Sequence, residues 1–482
     1  MTTQNQTPGR ERTEAMTVRM TPLRHTIAVA AAAMTAMTLG ACDFDVINPG
    51  PTEDQYLDSL NAHEAVVTGA RHALGDAMEN ITYWGAAMVF EVNPAGSTGS
   101  FGIPTYIQAG RFNASDNGDY DAAQEARWVA EDALRRFESV LPEIDGAPAF
   151  DQYEPAALAA LYAGYSNRLL GENFCQVVFD QADGMAGSPE PQTAAFARAE
   201  GYFTTAIQIG GNVGDDEVVT AAQAGRASVR ALLARYGMAS WADAASDAQA
   251  VANDFVFAME YSDQEQAQYN RIFFANANVP YRAHTIWATW YEDYFETTGD
   301  PRVVWEVGDC PNCPDPNNPT GDAAVDKFGG QVPWFTQMKY DEEGSPINLS
   351  SGWEMRLIEA EAALDAGDVP EAVALMNLHI DAINADPDYP DANIPQVTAA
   401  SVAEGYTALK AQRAYELWME GRRMGDIRSW DENSTPGTYN DGVWENGTRT
   451  EDLSTRHRAY PLGDSERDTN PNVPISPVFC TP

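Results

Sequence analysis

Between residues 121 and 253 the chain repeats one pattern, and that pattern limits the fold more than any other feature of the sequence. Apolar residues recur at helical spacing in segments several turns long, each cut off by proline, glycine or a short polar turn. The spacing predicts a helix over 121–141, where Ala130, Leu134, Phe137 and Leu141 fall at i, i+4, i+7 and i+11 ahead of Pro142. Pro155 opens the next, over 155–170, with Gly171 just beyond it. Segments 193–209, ending at Gly210-Gly211, then 217–236 and 241–253 continue the series, and 62–78 carries the same period upstream. Helices of this length, joined by short turns and rich in alanine, bury their faces by stacking as hairpins.

The clearest hairpin spans 353–384. Its first helix carries Met355, Ile358 and Ala362 on one face, Gly367-Asp368 makes the turn, and Pro370 sits in the first turn of the second helix. Val373, Met376, Ile380 and Ile383 then follow at i, i+3, i+7 and i+10, a pair resembling a tetratricopeptide hairpin. Between such blocks lie three irregular stretches: 90–119, rich in Gly, Asn, Ser and aromatics; 304–351, rich in Pro, Asp and Asn; and 434–482. Loops of that length in a folded domain are commonly functional. The expected fold is mostly α, stacked helical hairpins with long irregular loops.

The N-terminus reads as an export signal. Arg19 and Arg24 precede an apolar run over 26–38, too short for a permanent membrane span, and Leu39-Gly40-Ala41-Cys42 follows. Those four residues resemble a bacterial lipobox, so Cys42 is the expected site of lipid attachment. Residues 1–41 are read as a lipoprotein signal with an upstream extension, translation starting at Met16 or Met20. Residues 42–54 are read as the lipidated cysteine and a Pro/Gly-containing tether, and 55–482 as one domain.

The formal net charge is −42, and beyond residue 41 the chain holds 25 basic against 69 acidic residues. Such a surface repels nucleic acid and suits an exposed, saline exterior. In an exported chain Cys175, Cys310, Cys313 and Cys480 permit three disulfide pairings. The favoured reading is Cys310 with Cys313 and Cys175 with Cys480. No His or Cys lies near 310–313 to complete a zinc site. The acidic loop 309–326 offers calcium ligands without EF-hand spacing and is read as solvated, so no cofactor is expected.

From Gln412 to Trp430 the sequence reads QRAYELWMEGRRMGDIRSW. This stretch resembles the signature of the RagB/SusD family, roughly Glu-Arg-x-x-Glu-Leu-x-x-Glu-Gly-x-Arg-x-x-Asp-Leu-x-Arg-Trp. Gln412 replaces the first Glu, Ile427 the Leu, and the last Arg is displaced by one. Arg356–Ala363 with Gly367-Asp368 and Asn377, and Tyr460–Arg467 with Asn470-Pro471-Asn472, resemble further family segments in the same order. Read as one helix, the signature places Arg413, Glu416, Glu420 and Arg423 on a shared face as a structural ion network. A catalytic carboxylate pair there is disfavoured, because neighbouring arginines keep both acids ionised. The resemblance implies a mostly α fold, a superhelix of tetratricopeptide-like helical hairpins with long irregular loops, and an outer-membrane lipoprotein facing the cell exterior. Such a protein binds a glycan or other nutrient as the lid of a SusC-type TonB-dependent transporter.

Sugar rings stack on exposed aromatics while hydroxyls take hydrogen bonds. Aromatics in or beside irregular segments are therefore the ligand candidates: Tyr83, Trp84, Phe101, Tyr106, Trp290 and Trp334. Trp287, Trp290, Tyr291 and Tyr294 also form a helical stripe, and such a stripe is more often buried core. No Gly-x-Ser-x-Gly or His-Glu-x-x-His motif is present and only six His occur, so an enzyme is not expected. The competing reading is a helical-repeat adaptor lipoprotein that binds protein or peptide partners.

Overall fold

The computed structural model describes residues 54–95, 102–113, 118–180, 185–277, 282–307, 333–445 and 448–479. Helices dominate them. In chain order the first seven are α1 (Leu60–Met88), the single turn α2 (Thr105–Gln108), α3 (Gly118–Val140), α4 (Glu154–Asn173), α5 (Gln192–Val213), α6 (Asp216–Arg235) and α7 (Trp241–Gln249). The rest are α8 (Arg271–Ala277), α9 (Trp290–Thr298), α10 (Gly352–Asp365), α11 (Val369–Ala385), α12 (Val402–Glu416), α13 (Arg423–Glu432) and α14 (Asp464–Thr469). None is long and apolar enough to cross a membrane.

The stacked hairpins are present, with α4 at their centre. It packs on α1, α3, α5 and α6, and from Ala159 to Asn173 every residue is buried. Small side chains make this possible. A Cβ at Gly164 would lie 2.6 Å from the Phe203 ring, one at Gly225 of α6 2.4 Å from it, and one at Gly171 2.4 Å from the Phe196 ring. Phe203 thus wedges between two glycines of neighbouring helices, a close approach worth more than the helix propensity those glycines sacrifice. This revises two expected helix stops. Gly171 and Gly210-Gly211 lie inside α4 and α5, and α5 ends at Gly214 in left-handed backbone, φ 79°. The 353–384 hairpin forms as α10 and α11, with Gly367 at φ 80° in the turn and Asp368 capping α11 through the Glu371 N–H.

Short strands join the irregular stretches into antiparallel pairs. β1 (Asn93–Pro94) pairs with β5 (His284–Thr285), β2 (Gln176–Val178) with β3 (Pro189–Pro191), and β4 (Val256–Met259) with β8 (Ile347–Ser351). β6 (Trp305–Val307) pairs with β7 (Phe335–Gln337), and β9 (Gly442–Glu445) with β10 (Thr448–Asp452). The first of these ties the loop after α1 to the loop before α9, and so sets where α9 sits.

Candidate functional site

The family-like stretch 412–430 is two helices with a sharp turn between them. α12 ends at Glu416, Met419 and Gly421 adopt left-handed backbone (φ 56° and 73°), and α13 starts at Arg423. The expected mutual pairing along one helix face therefore does not occur. Arg413 donates from Nε and Nη2 to the Asp426 carboxylate at 2.8 and 3.0 Å. Glu416 accepts from Arg302 at 3.4 Å and has His379 Nδ1 at 2.7 Å. Glu420 accepts from Lys339 Nζ at 2.8 Å. Arg423 donates to the Val89 and Asn440 carbonyls. The turn aims the charges apart, so Arg413 ties α12 to α13 while Glu416, Glu420 and Arg423 tie the pair to other chain segments.

Partners that the signature does not contain complete this network. Arg235 of α6 bridges Glu361 of α10 and Asp426 of α13, at 2.7 and 2.8 Å. Arg422 joins Glu172 of α4 to Glu354 of α10, at 2.7 and 2.8 Å. Burial alone would raise the Asp426 carboxyl, but the Arg413 and Arg235 charges outweigh it and hold it down at about 2. Burial opposes ionisation of Glu416 likewise, and His379 and Arg302 bring it to about 2. Carboxylates held this firmly ionised are structural anchors and poor proton donors.

Helix α9 lies over this anchored region with a groove on either side. The first, of about 530 Å³, is lined by residues 288–290, 292–294, Thr297 and Thr298, with Pro395 and Asn440 opposite. Trp290 is half-buried there, its ring tilted against Tyr291 and Tyr415 at 4.5 and 4.8 Å, with the Arg423 guanidinium 5.4 Å from its centroid. Tyr294 stacks on Tyr415 at 3.7 Å and donates its hydroxyl hydrogen to Asp300. Glu292 accepts the Ala288 N–H at 2.6 Å, and burial pushes its carboxyl up to about 7. The side chains of Asp293, Thr297 and Asn440 are exposed at the rim. A fixed indole beside polar groups of both hydrogen-bonding types is the arrangement a sugar ring requires.

The other aromatic candidates lie elsewhere. α1 runs ten residues beyond the expected end, which carries Tyr83 and Trp84 into its buried face at 0 % and 9 % exposure. The Tyr83 hydroxyl lies 3.1 Å from His284 Nδ1. Trp334 is 4 % exposed beneath the Arg282 guanidinium and packs with Ala95 and half-buried Trp287. Tyr83, Trp84 and Trp334 are corrected to core residues, since a ring with no open face cannot stack on a ligand. Tyr106 is half-buried, and Phe101 lies outside the described residues.

Cys175 is buried and disulfide-bonded. Cys42, Cys310, Cys313, Cys480 and the loop 309–326 all lie outside the described residues. Among those described, no three His, Cys, Asp or Glu side chains converge to hold a metal.

No family model matches the chain, and no curated protein matches it. Solved structures do. A SusD superfamily protein from Parabacteroides distasonis aligns with a TM-score of 0.62 at 12 % identity, over 86 % of this chain and 98 % of that one. A SusD/RagB family protein from Bacteroides thetaiotaomicron gives 0.56 at 15 % identity, over 84 % and 94 %. A SusD-like carbohydrate-binding protein from Bacteroides fragilis gives 0.55 at 13 % identity, over 87 % and 100 %. The chain has the SusD-like fold from one end of those proteins to the other.

Proposed function

We propose that this chain is a RagB/SusD-type nutrient-capture lipoprotein. In this reading Cys42 carries the lipid that holds it to the outer membrane, facing outward. The groove beside α9 binds a glycan, and the whole protein serves as the lid of a SusC-type transporter. The observation that carries the reading is the first groove, where Trp290 offers part of its ring next to Asp293, Thr297 and Asn440. Its setting supports the same conclusion, since a solved carbohydrate-binding protein shares this fold along its whole length. The fold-wide motifs at 412–430 and 460–472 support family membership independently of the structural likeness. The protein acts by binding and catalyses nothing. The buried carboxyls of Asp426, Glu416 and Glu354 are held ionised by basic partners, which makes them poor proton donors.

Calorimetric titration of a panel of neutral oligosaccharides tests the binding step. At least one should bind the parent protein, and Trp290→Ala should weaken it tenfold or more, about 1.4 kcal/mol. Full affinity in that variant would remove the groove from the account. Mild detergent extraction tests the lid role. A large β-barrel should co-purify with the acylated protein, and its repeated absence would count against a transporter partner.

A further inference from the structure

The second groove beside α9 has a different chemistry. It encloses about 570 Å³ between Phe295 and Gly299 at the end of α9, the floor residues Arg302, Lys339, Asn348 and Glu416, and the exposed segment 388–391. The cations of that floor are already engaged. Arg302 donates to Asp300 at 2.6 Å, to Gln412 at 3.1 Å and to Glu416 at 3.4 Å. Lys339 Nζ donates to the Trp418 carbonyl and to Glu420, both at 2.8 Å, which leaves one ammonium proton. Asn348 Nδ2 also donates to Glu420, at 3.0 Å.

The hydrogen-bonding capacity left over is almost all acceptor. Asn348 Oδ1 and Glu416 Oε1 take no hydrogen bond from any described residue, although the Glu416 side chain is only 9 % exposed. Asp388 and Asp391 present exposed carboxylates across the groove, and Pro301 and Pro390 contribute no N–H. Counting the groups directly behind the lining, two cations face five carboxylates: Asp300, Glu416, Glu420, Asp388 and Asp391. His379, 2.7 Å from Glu416, stacks on Trp353 outside the lining. Tyr389 stands between the two aspartates with 44 % of its surface open.

We propose that this groove binds a primary ammonium group carried by a small polar ligand, either an amino sugar or the amine of a short peptide. An alkylammonium brings three donors and no acceptor, which matches what the groove has left unmet. The Tyr389 ring can receive the cation on its face, and the chain's net charge of −42 raises the local concentration of cations. A neighbouring ligand hydroxyl can accept the remaining Lys339 proton. The site is separate from the Trp290 groove and stands or falls independently of it.

The test is calorimetric titration of the full-length protein with a glucosamine trisaccharide, its N-acetylated counterpart and triglycine amide. The comparison protein carries Asp388→Asn and Asp391→Asn, both on an exposed loop where loss of folding is not expected, with circular dichroism as the check. At least one free amine should bind, at least tenfold tighter than to the double variant, and more weakly as salt rises. Preference for the trisaccharide or for the peptide amine identifies the source, and either supports the site. Any binding of the N-acetylated sugar should be unchanged by the aspartate substitutions. Equal sensitivity of acetylated and free-amine ligands to those changes would overturn the proposal. So would amine binding unaffected by them, or no binding of either amine at millimolar concentration.

Discussion

Replacing Asp426 by asparagine isolates the interaction on which the packing of α6, α10, α12 and α13 most depends. The Asp426 carboxylate accepts hydrogen bonds from Arg413 Nε and Nη2 and from Arg235 Nη1, at 2.8, 3.0 and 2.8 Å. All three side chains are 5 % exposed or less. An amide of the same shape loses the negative charge and turns an NH2 group toward a guanidinium. Arg413 is then a buried cation without its counter-ion, while Arg235 keeps Glu361. Removing one partner of a buried ion pair costs about 3–5 kcal/mol, whereas an exposed pair is worth about 1 kcal/mol or less. Against a total stability of roughly 5–15 kcal/mol this is a large fraction. Urea unfolding followed by circular dichroism measures it, with Arg135→Gln, which removes the exposed pair to Asp132, as the control. The sign with pH is fixed as well. A carboxyl held near 2 contributes in full above its unfolded value of about 4, and the contribution fades as pH falls toward 2. If Asp426→Asn unfolds within about 1 kcal/mol of the parent at pH 7, the network does not hold these helices together.

Burial pushes the Glu91 carboxyl up to about 7 against the opposing Arg423 charge, so between about 4.5 and 7 the folded state holds a proton that the unfolded state releases. Stability from this group therefore falls as pH rises through that window, and Glu91→Gln, which keeps the acceptor for the Met419 N–H, should flatten that slope in melting temperatures. An unchanged slope would mean another group carries it. Gly225→Ala should cost about 1–3 kcal/mol, because its Cβ would lie 2.4 Å from Phe203, and a melting temperature equal to the parent's would show that the ring moves freely.

Much of the helical framework is legible in the sequence because its information is local. The 3.6-residue period of 121–141 and the Gly367-Asp368 turn need only neighbours a few positions away, and α3 and the α10–α11 hairpin form where that period places them. Glycine is where local reading fails. Gly171 and Gly210-Gly211 look like helix stops, yet at Gly171 the absence of a side chain makes room for Phe196. The same ambiguity hides the turn within 412–430. Gly421 marks it, but Met419 in left-handed backbone carries no such mark, and a helical wheel drawn through both groups charges that actually diverge. The true partners, Arg235, Glu172, Arg302 and Lys339, lie between 81 and 250 positions from Asp426, Arg422, Glu416 and Glu420, which they meet, and no periodicity connects them. For the proposed binding face, Trp290 stands out in the sequence only as one aromatic of a helical stripe, whereas Tyr83 and Trp84 mislead because α1 continues past its pattern.

The distribution of charge links the scaffold to both grooves. The sequence holds three lysines, and the two described, Lys339 and Lys410, each donate two hydrogen bonds to carbonyls or a carboxylate within the fold. Many arginines are used in the same way. Arg235, Arg413 and Arg422 meet buried acids, and Arg423, Arg428 and Arg456 donate to backbone carbonyls. A scaffold that draws its cations inward to tie helices together leaves an exterior dominated by carboxylates. A neutral sugar adapts to such a surface, because each hydroxyl can donate to a carboxylate and still accept elsewhere. An ammonium gains from it outright, whereas a sulfated or uronic polymer meets like charge at close range with few free donors to offset it. The buried arginine network thus restricts what the open grooves can hold, though none of those arginines except Arg302 lines a groove itself.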